Sequence, residues 1–143
     1  MIRFESFEAW VRDVIDGDTI TIERGRLVMR IRIAHIDAPE SGQAFCAEAR
    51  DLLRKLVFHQ WVHVHPIGSD RYSRIIAEVR NEGCEDVSEE MIRTGMAYWL
   101  QGKKRDQHYG EIEAAARGLQ CGVHSLRNQQ RPWDFRKNHA GVR

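Results

Sequence analysis

Apolar and polar residues alternate along much of the first eighty positions of the chain. The alternation is clearest in residues 7–15, 20–22, 27–36, 61–65 and 75–79. A period of two residues is typical of β-strands that bury one face and expose the other. Short turns separate the first three segments, so the pattern predicts a three-strand meander followed by two further strands.

Three other segments have the apolar spacing of amphipathic helices. The first covers about residues 44–57. The second is preceded by Asp86, with Glu89 three residues later as in a capping box, and it ends before Gly95. The third covers about residues 107–119. A helix between the third and fourth of five strands fits an OB-fold barrel. We therefore predict an α+β, mainly β fold: a five-stranded OB-fold barrel with three helices.

The chain has 143 residues, which is the size of one domain with one core. We predict a single domain over residues 1–143, with its core at about 9–123. A polar and basic tail at 124–143 follows, and Pro132 and Trp133 are its apolar anchors. We expect this tail to pack back on the barrel.

Composition and charge leave the choice of function open. Hydrophobic residues make up 42% of the chain, charged residues 30%, and the formal net charge is +1. These are ordinary values for a soluble globular protein. Any attraction for a polyanion is therefore local, and the arginine-rich segments 24–32 and 71–80 are candidates for it. A further basic stretch, at residues 101–106, is predicted to be a loop.

Two features bear on the compartment. No apolar run is long enough to span a membrane, and the first ten residues lack the continuous apolar core of a signal peptide. Cys46, Cys84 and Cys121 are odd in number and far apart, which favours free thiols in a reducing compartment, although one disulfide pair is an alternative. We expect a cytoplasmic monomer.

Acidic residues cluster at two predicted strand ends. Asp16, Gly17 and Asp18 lie between two strand segments, where Asp-Gly favours a tight hairpin. Asp37 follows the third strand. If the hairpin stacks beside that strand, the three carboxylates converge and repel one another unless a hard cation lies between them; oxygen ligands suit Ca²⁺ or, less readily, Mg²⁺. Alternatively, Asp16 and Asp18 are simply turn residues.

Two arginines and a glutamate complete the candidate chemistry. Arg32 lies on the third strand, Glu40 follows it, and Arg74 precedes the fifth strand. Phosphodiester hydrolysis requires a cation at the phosphate, fixed positive charge on its equatorial oxygens and a carboxylate near the attacking water. The alternative is that both arginines pair with nearby carboxylates at the surface. Such exposed ion pairs contribute little to the free energy of unfolding.

Three motifs in order resemble the staphylococcal nuclease (thermonuclease) family. They are Asp-Gly-Asp-Thr at 16–19, Arg-x4-Asp-x-Pro-Glu at 32–40 and Asp-Arg-Tyr-x-Arg at 70–74. The resemblance covers roughly residues 9–123. It implies a nuclease on an OB-fold barrel that cleaves DNA and RNA and leaves 3′-phosphate and 5′-hydroxyl ends.

The resemblance also implies roles for individual residues. Asp18, Asp37 and the backbone oxygen of Ala38 would be direct Ca²⁺ ligands, and Asp16 would act through water. Ala38 replaces a threonine frequent in the family, but the ligand there is the backbone oxygen.

The remaining implied roles concern the substrate. Arg32 and Arg74 would hold the phosphate, and Glu40 would take a proton from the attacking water or orient it. Arg71, which replaces a frequent lysine, and Tyr72 would contact the substrate. The loop after Glu40 is shorter than in the secreted nuclease that names the family.

For several aromatic and histidine residues, a purely structural role is an alternative to a functional one. Tyr72 is equally well a strand-edge aromatic, and Tyr98 and Trp99 either stack on bases or belong to the core. His63 and His65, two apart on one strand, lack the cysteine partners typical of zinc sites. The rival to a nuclease is a non-catalytic OB-fold module that binds nucleic acid or protein.

Overall fold

The computed structural model describes residues 5–101 and 106–139. Most of the basic stretch predicted as a loop, residues 102–105, lies outside the described residues, as do residues 1–4 of the N-terminal segment and residues 140–143 of the tail.

A closed five-stranded barrel forms the centre of the described structure and confirms the predicted fold class. Its strands are β1 (Phe7–Asp16), β2 (Thr19–Arg24), β3 (Leu27–Ile33), β5 (Trp61–Ser69) and β6 (Ile75–Arg80). Around the barrel the order is β1-β2-β3-β6-β5. The pair β3–β6 is parallel and the other neighbours are antiparallel.

The third strand ends earlier than the alternation predicted. β3 stops at Ile33, because His35 adopts a left-handed conformation with φ of 72° that interrupts the extended chain. A separate short strand, β4 (Ile36–Asp37), then pairs with β7 (Tyr98–Trp99) outside the barrel. The turn between β3 and β4 is held by the Ser88 hydroxyl, which donates to the Ala34 carbonyl at 2.7 Å.

The strand β5 continues beyond its predicted end. It was expected to stop at Pro66, but pairing with β6 extends to Ser69 across an irregularity between Pro66 and Gly68. A bulge of this kind accommodates a proline that cannot donate to the ladder.

Four α-helices occur in the described part of the chain, one more than predicted. They are α1 (Cys46–Val57), α2 (Val87–Arg93), α3 (Gln107–Gly118) and α4 (Pro132–Asn138), with a 3₁₀ turn at Gly122–Ser125. Asp86 caps α2 as predicted, since its side chain accepts from the Glu89 amide at 3.0 Å. The unpredicted helix is α4, which begins with proline in its first turn, where proline is favoured.

The apolar faces of the strands and of α1 and α2 form one core. Ile20, Ile31 and Leu53 are completely buried in it. None of the helices within the described ranges is both long and apolar enough to cross a membrane. Cys46, Cys84 and Cys121 are free, as the first interpretation of their spacing predicted.

The β1–β2 hairpin is tightly packed where it meets the segment after β4. A Cβ atom at Gly17 would lie 2.7 Å from the Cβ atoms of both Ala38 and Ala49. Overpacking typically costs about 1–3 kcal/mol. We expect Gly17→Ala to lower the free energy of unfolding by this amount, measured by urea denaturation. Gly68→Ala is the control, because nothing lies within 4 Å of that position; equal loss in the two variants would contradict the prediction.

Candidate active site

One end of the barrel gathers the acidic residues of the β1–β2 hairpin. Asp16 is the last residue of β1, and its Oδ1 accepts from the Asp18 amide at 3.1 Å. Asp18 is buried, and its Oδ1 accepts from the Thr19 hydroxyl at 3.0 Å. The hairpin therefore holds two carboxylates close together in a rigid turn.

The sheet register brings Arg32 to this hairpin. Arg32 pairs with Thr19 on β2 and with Ile76 on β6, so it lies between two neighbouring strands. The Ile33 amide also donates to the Asp18 carbonyl at 2.8 Å. The end of β3 is thus attached to the acidic turn. This is the arrangement expected if the hairpin stacks beside the third strand.

The Arg32 guanidinium lies between two carboxylates. Its Nη1 is 3.3 Å from Asp18 Oδ2, and its Nη2 is 3.4 Å from Asp37 Oδ1. All three side chains are largely shielded from solvent, with the Arg32 side chain 14% exposed. This is a partly buried charge cluster rather than an exposed surface pair.

The segment after β4 completes this cluster. Asp37 is fully buried, and the Ala38 amide donates to Asp18 Oδ2 at 2.9 Å. Asp18, Asp37 and the Ala38 backbone are therefore adjacent.

An arginine from the far end of the chain enters the same cluster. Arg136, on α4, donates from Nη2 to Asp37 Oδ2 at 2.7 Å and from Nη1 to Asp37 Oδ1 at 3.0 Å. Its Nη1 also donates to Glu40 Oε1 at 2.6 Å. No motif or periodicity in the sequence predicted a role for this residue. The available signal was Pro132, whose place at a helix start predicts that the tail is ordered.

Further contacts attach the tail to the loop that carries Glu40. The Gln43 amide group donates to the Gln130 carbonyl at 2.8 Å, while its Oε1 accepts from the Glu40 amide at 2.9 Å. The short loop after Glu40 is thereby closed on itself and joined to the residues before α4. The tail packs back on the barrel end, as predicted.

Arg74 lies at the same barrel end but has different partners. Its Nε is 2.8 Å from Asp70 Oδ2, and its Nη1 is 3.4 Å from the Thr19 hydroxyl. Although desolvation opposes it, hydrogen bonds from the Arg74 and Tyr72 amides and from the Arg74 side chain lower the pKa of Asp70. Asp70 therefore stays ionised and fixes the guanidinium next to the hairpin.

Arg71 and Tyr72 form the outer part of this loop. Tyr72 is 62% exposed. The guanidinium carbons of Arg71 and Arg74 lie 5.1 and 5.6 Å from its ring centre. This exposed aromatic with two cations beside it is accessible to a large ligand.

Burial and mutual repulsion govern the protonation of the acidic residues. Desolvation, followed by the charge of Asp18, raises the pKa of Asp16 to about 7. Desolvation also raises the pKa of Asp37, and its hydrogen bonds with Arg136 oppose the rise. Hydrogen bonding to Asp37 raises the pKa of Arg136, which stays charged. The site holds more negative charge than its buried surroundings favour.

The donor chemistry at this end suits a hard cation. The oxygens of Asp16, Asp18, Asp37 and the Ala38 backbone are the ligand type that Ca²⁺ prefers, and the raised pKa of Asp16 indicates charge that a cation would relieve. No three His, Cys, Asp or Glu side chains in residues 5–101 and 106–139 are arranged as a ready-made metal site. At Asp37, guanidinium groups of Arg32 and Arg136 engage both carboxylate oxygens.

The remaining aromatic and histidine candidates are engaged by other residues of the folded chain. Tyr98 is 2% exposed and belongs to the interior, and Trp99 packs against the core, so the core alternative describes both better than base stacking. His63 contacts Glu8 at 2.6 Å and His65 contacts Ser6 at 2.6 Å.

Comparison with known proteins shows a consistent similarity. A family model described as staphylococcal nuclease homologue matches residues 30–125. A micrococcal nuclease from Shigella flexneri is 38% identical over 141 residues, covering 92% of this chain and 81% of the relative. Protein ParB from Escherichia coli is 34% identical, with 87% and 76% covered. An uncharacterized endonuclease from Escherichia coli is 32% identical, with 86% and 80% covered.

The raised pKa of Asp16 makes stability depend on pH. Its pKa is about 7 in the folded chain against an ordinary value of 3.8, so folding favours the protonated form. Stability gained from this group is complete below pH 3.8 and is lost as the pH rises through 7. In chelator, Asp16→Asn should match the original chain at low pH and be more stable above pH 7, by at most about 4 kcal/mol, because one pKa unit is about 1.4 kcal/mol.

Thermal melts across this pH range test the prediction. Asp51→Asn, which removes an exposed carboxylate from α1, controls for net charge. A constant difference between Asp16→Asn and the original chain at every pH would contradict it.

Proposed function

The chain belongs to the staphylococcal nuclease family, and we propose that it is a Ca²⁺-dependent nuclease that hydrolyses phosphodiester bonds of DNA and RNA. The observation that most directly supports this proposal is the cluster at the barrel end. There the Arg32 guanidinium lies 3.3 Å from Asp18 and 3.4 Å from Asp37. A phosphate entering beside this cluster would meet oriented positive charge and oxygen ligands for a cation.

The cation has a defined place in this proposal. Asp18, Asp37 and the Ala38 backbone oxygen would hold Ca²⁺ directly, and Asp16 would hold it through water. When bound, the cation supplies positive charge that polarises the phosphodiester and makes it more susceptible to attack by water.

The two arginines neutralise charge on the phosphate. Arg32 would donate to the equatorial oxygens from between β2 and β6, and Arg74 would donate the guanidinium N–H groups that Asp70 leaves available. Asp70 accepts from Arg74 Nε at 2.8 Å, so the guanidinium is held in position before substrate arrives. Groups fixed in this way stabilise a transition state without reorganising.

Glu40 is the remaining acidic group close to the phosphate position. Its loop is closed by Gln43, which accepts from the Glu40 amide at 2.9 Å. Glu40 would orient the attacking water or take its proton. In-line attack would break the P–O5′ bond and leave 3′-phosphate and 5′-hydroxyl ends. Because the groups address phosphate rather than base edges, we expect little sequence preference.

Arg71 and Tyr72 would contact the strand next to the cleaved phosphate. Both lie on the exposed loop before β6, with the Arg71 guanidinium 5.1 Å from the Tyr72 ring centre. The strength of binding would then depend on salt, as it does where lysine and arginine side chains contact phosphates.

The cation requirement and the role of Glu40 are tested together. We expect cleavage of denatured DNA in Ca²⁺, less in Mg²⁺ and none in excess chelator, followed as release of acid-soluble nucleotides. Glu40→Gln should remove most of the activity, because the amide cannot accept the proton of the attacking water.

Glu48→Gln, an exposed change on α1, is the matched control and should leave cleavage intact. If the folded original chain fails to cleave in all three buffers, the nuclease proposal is wrong and a nucleic-acid-binding module becomes the better interpretation.

Loss of a phosphate-binding arginine should slow turnover. Removing one oriented donor from a transition-state site typically lowers kcat by about a hundredfold to a thousandfold, and we expect a loss of this size for Arg74→Ala. Single-turnover kinetics on a short single-stranded oligonucleotide measure it. Arg12→Ala removes an exposed arginine from β1, outside both arginine-rich segments, and serves as the control; comparable turnover in the two variants would refute the role of Arg74.

A further inference from the structure

The C-terminal helix α4 brings a permanent positive charge to the centre of the acidic site. Arg136 makes two hydrogen bonds to Asp37, of 2.7 and 3.0 Å, and a third of 2.6 Å to Glu40. Asp37 is fully buried and accepts from Arg32 as well, at 3.4 Å. Both oxygens of Asp37 are therefore engaged by guanidinium groups.

The same Asp37 oxygens are needed for the cation of the proposed function. A guanidinium that grips a carboxylate through two N–H groups occupies the lone pairs directed toward it. Its charge also repels any second cation placed at that carboxylate. Arg136 and a divalent cation would thus both need the carboxylate oxygens of the buried Asp37.

The segment that carries Arg136 is short and lies at the edge of the structure. α4 spans seven residues, Pro132–Asn138. Besides Arg136, the helix is attached through the buried Pro132 and through the Trp133 ring, 6.1 Å from the Tyr98 ring. Just before it, Gln43 donates to the Gln130 carbonyl at 2.8 Å, and the Arg131 guanidinium lies 5.2 Å from the Tyr98 ring centre. The Phe135 ring packs near Gly42, where a Cβ would lie 3.6 Å from it. Movement of this helix would leave the barrel strands intact.

We propose that Arg136 competes with the divalent cation for Asp37 and Glu40 and so sets the cation affinity of the site. The inference rests on the proposed function, in which Asp37 is a cation ligand. In the resting chain, Arg136 balances the buried charge of Asp37. Cation binding replaces Arg136 at Asp37 and loosens the attachment of α4.

Calorimetric titration of Ca²⁺ into nucleic-acid-free protein tests the competition directly. A nearby unit charge changes the proton affinity of a carboxylate by about 1–3 pKa units, so Arg136→Gln should bind Ca²⁺ at least about tenfold more tightly. Arg136→Lys keeps the positive charge but loses the paired guanidinium donors. Its Ca²⁺ affinity should therefore lie between those of the original chain and Arg136→Gln. Lys137→Gln removes the same charge from an exposed neighbour and should bind as the original chain does.

Hydrogen–deuterium exchange on the unmodified chain provides a second measurement, which remains informative even if Arg136→Gln folds poorly. Addition of Ca²⁺ should speed amide exchange in α4 while exchange in β2 and β3 slows or stays constant. Unchanged or slower exchange in α4 on Ca²⁺ binding would overturn the competition.

The two proposals fail in different ways. If the original chain and Arg136→Gln bind Ca²⁺ equally, or the variant binds more weakly, Arg136 supports the ligands and the competition is wrong, while the Ca²⁺ site stands. If neither binds Ca²⁺ and both remain folded, the cation site of the proposed function fails and the competition fails with it.

Discussion

The pairing of one buried carboxylate, Asp37, determines how the functional end of this protein is organised. A buried charge without partners is strongly destabilising, and removing one partner of a buried pair typically costs about 3–5 kcal/mol. Asp37 is fully buried and draws partners from two distant places, Arg32 on the barrel and Arg136 on α4. The carboxylate that the proposed function requires thus also helps to attach the tail to the barrel.

The helical part of the chain keeps Asp37 in place from the other side. β4 pairs with β7, and the Trp99 amide of β7 donates to the buried Glu113 of α3 at 2.7 Å. Glu113 in turn accepts from Arg117 at 3.1 Å. The site therefore lies between the barrel, which supplies Arg32 and Asp18, and a helical layer that supports β4. This arrangement explains how a strand of two residues outside the barrel is held in position without ladder bonds to the barrel strands.

Local patterns in the sequence predicted the features that local physics determines. The alternation located the barrel strands, the Asp86 capping motif located α2, and three short motifs located Asp18, Arg32 and Arg74. The predicted end of β3 was wrong because the left-handed turn at His35 depends on tertiary support from Ser88. α4 was missed because seven residues carry too little periodicity and, unlike α2, it has no N-cap side chain to mark its start. The Arg136 contact joins residues 99 positions apart, beyond the reach of any local pattern.

Charge balance at the site connects the resting structure with the proposed chemistry. Asp18, Asp37 and Glu40 carry three negative charges, while Arg32 and Arg136 carry two positive charges, which leaves one negative charge uncompensated. Exchange of Arg136 for a divalent cation would bring the sum to zero, because the cation supplies one charge more. Among these five residues, charge balance therefore favours the exchange, and the two states differ further in what they can contact. A small cation can contact a phosphate oxygen and the carboxylates together. The Arg136 guanidinium, by contrast, already donates N–H groups to Asp37 and Glu40.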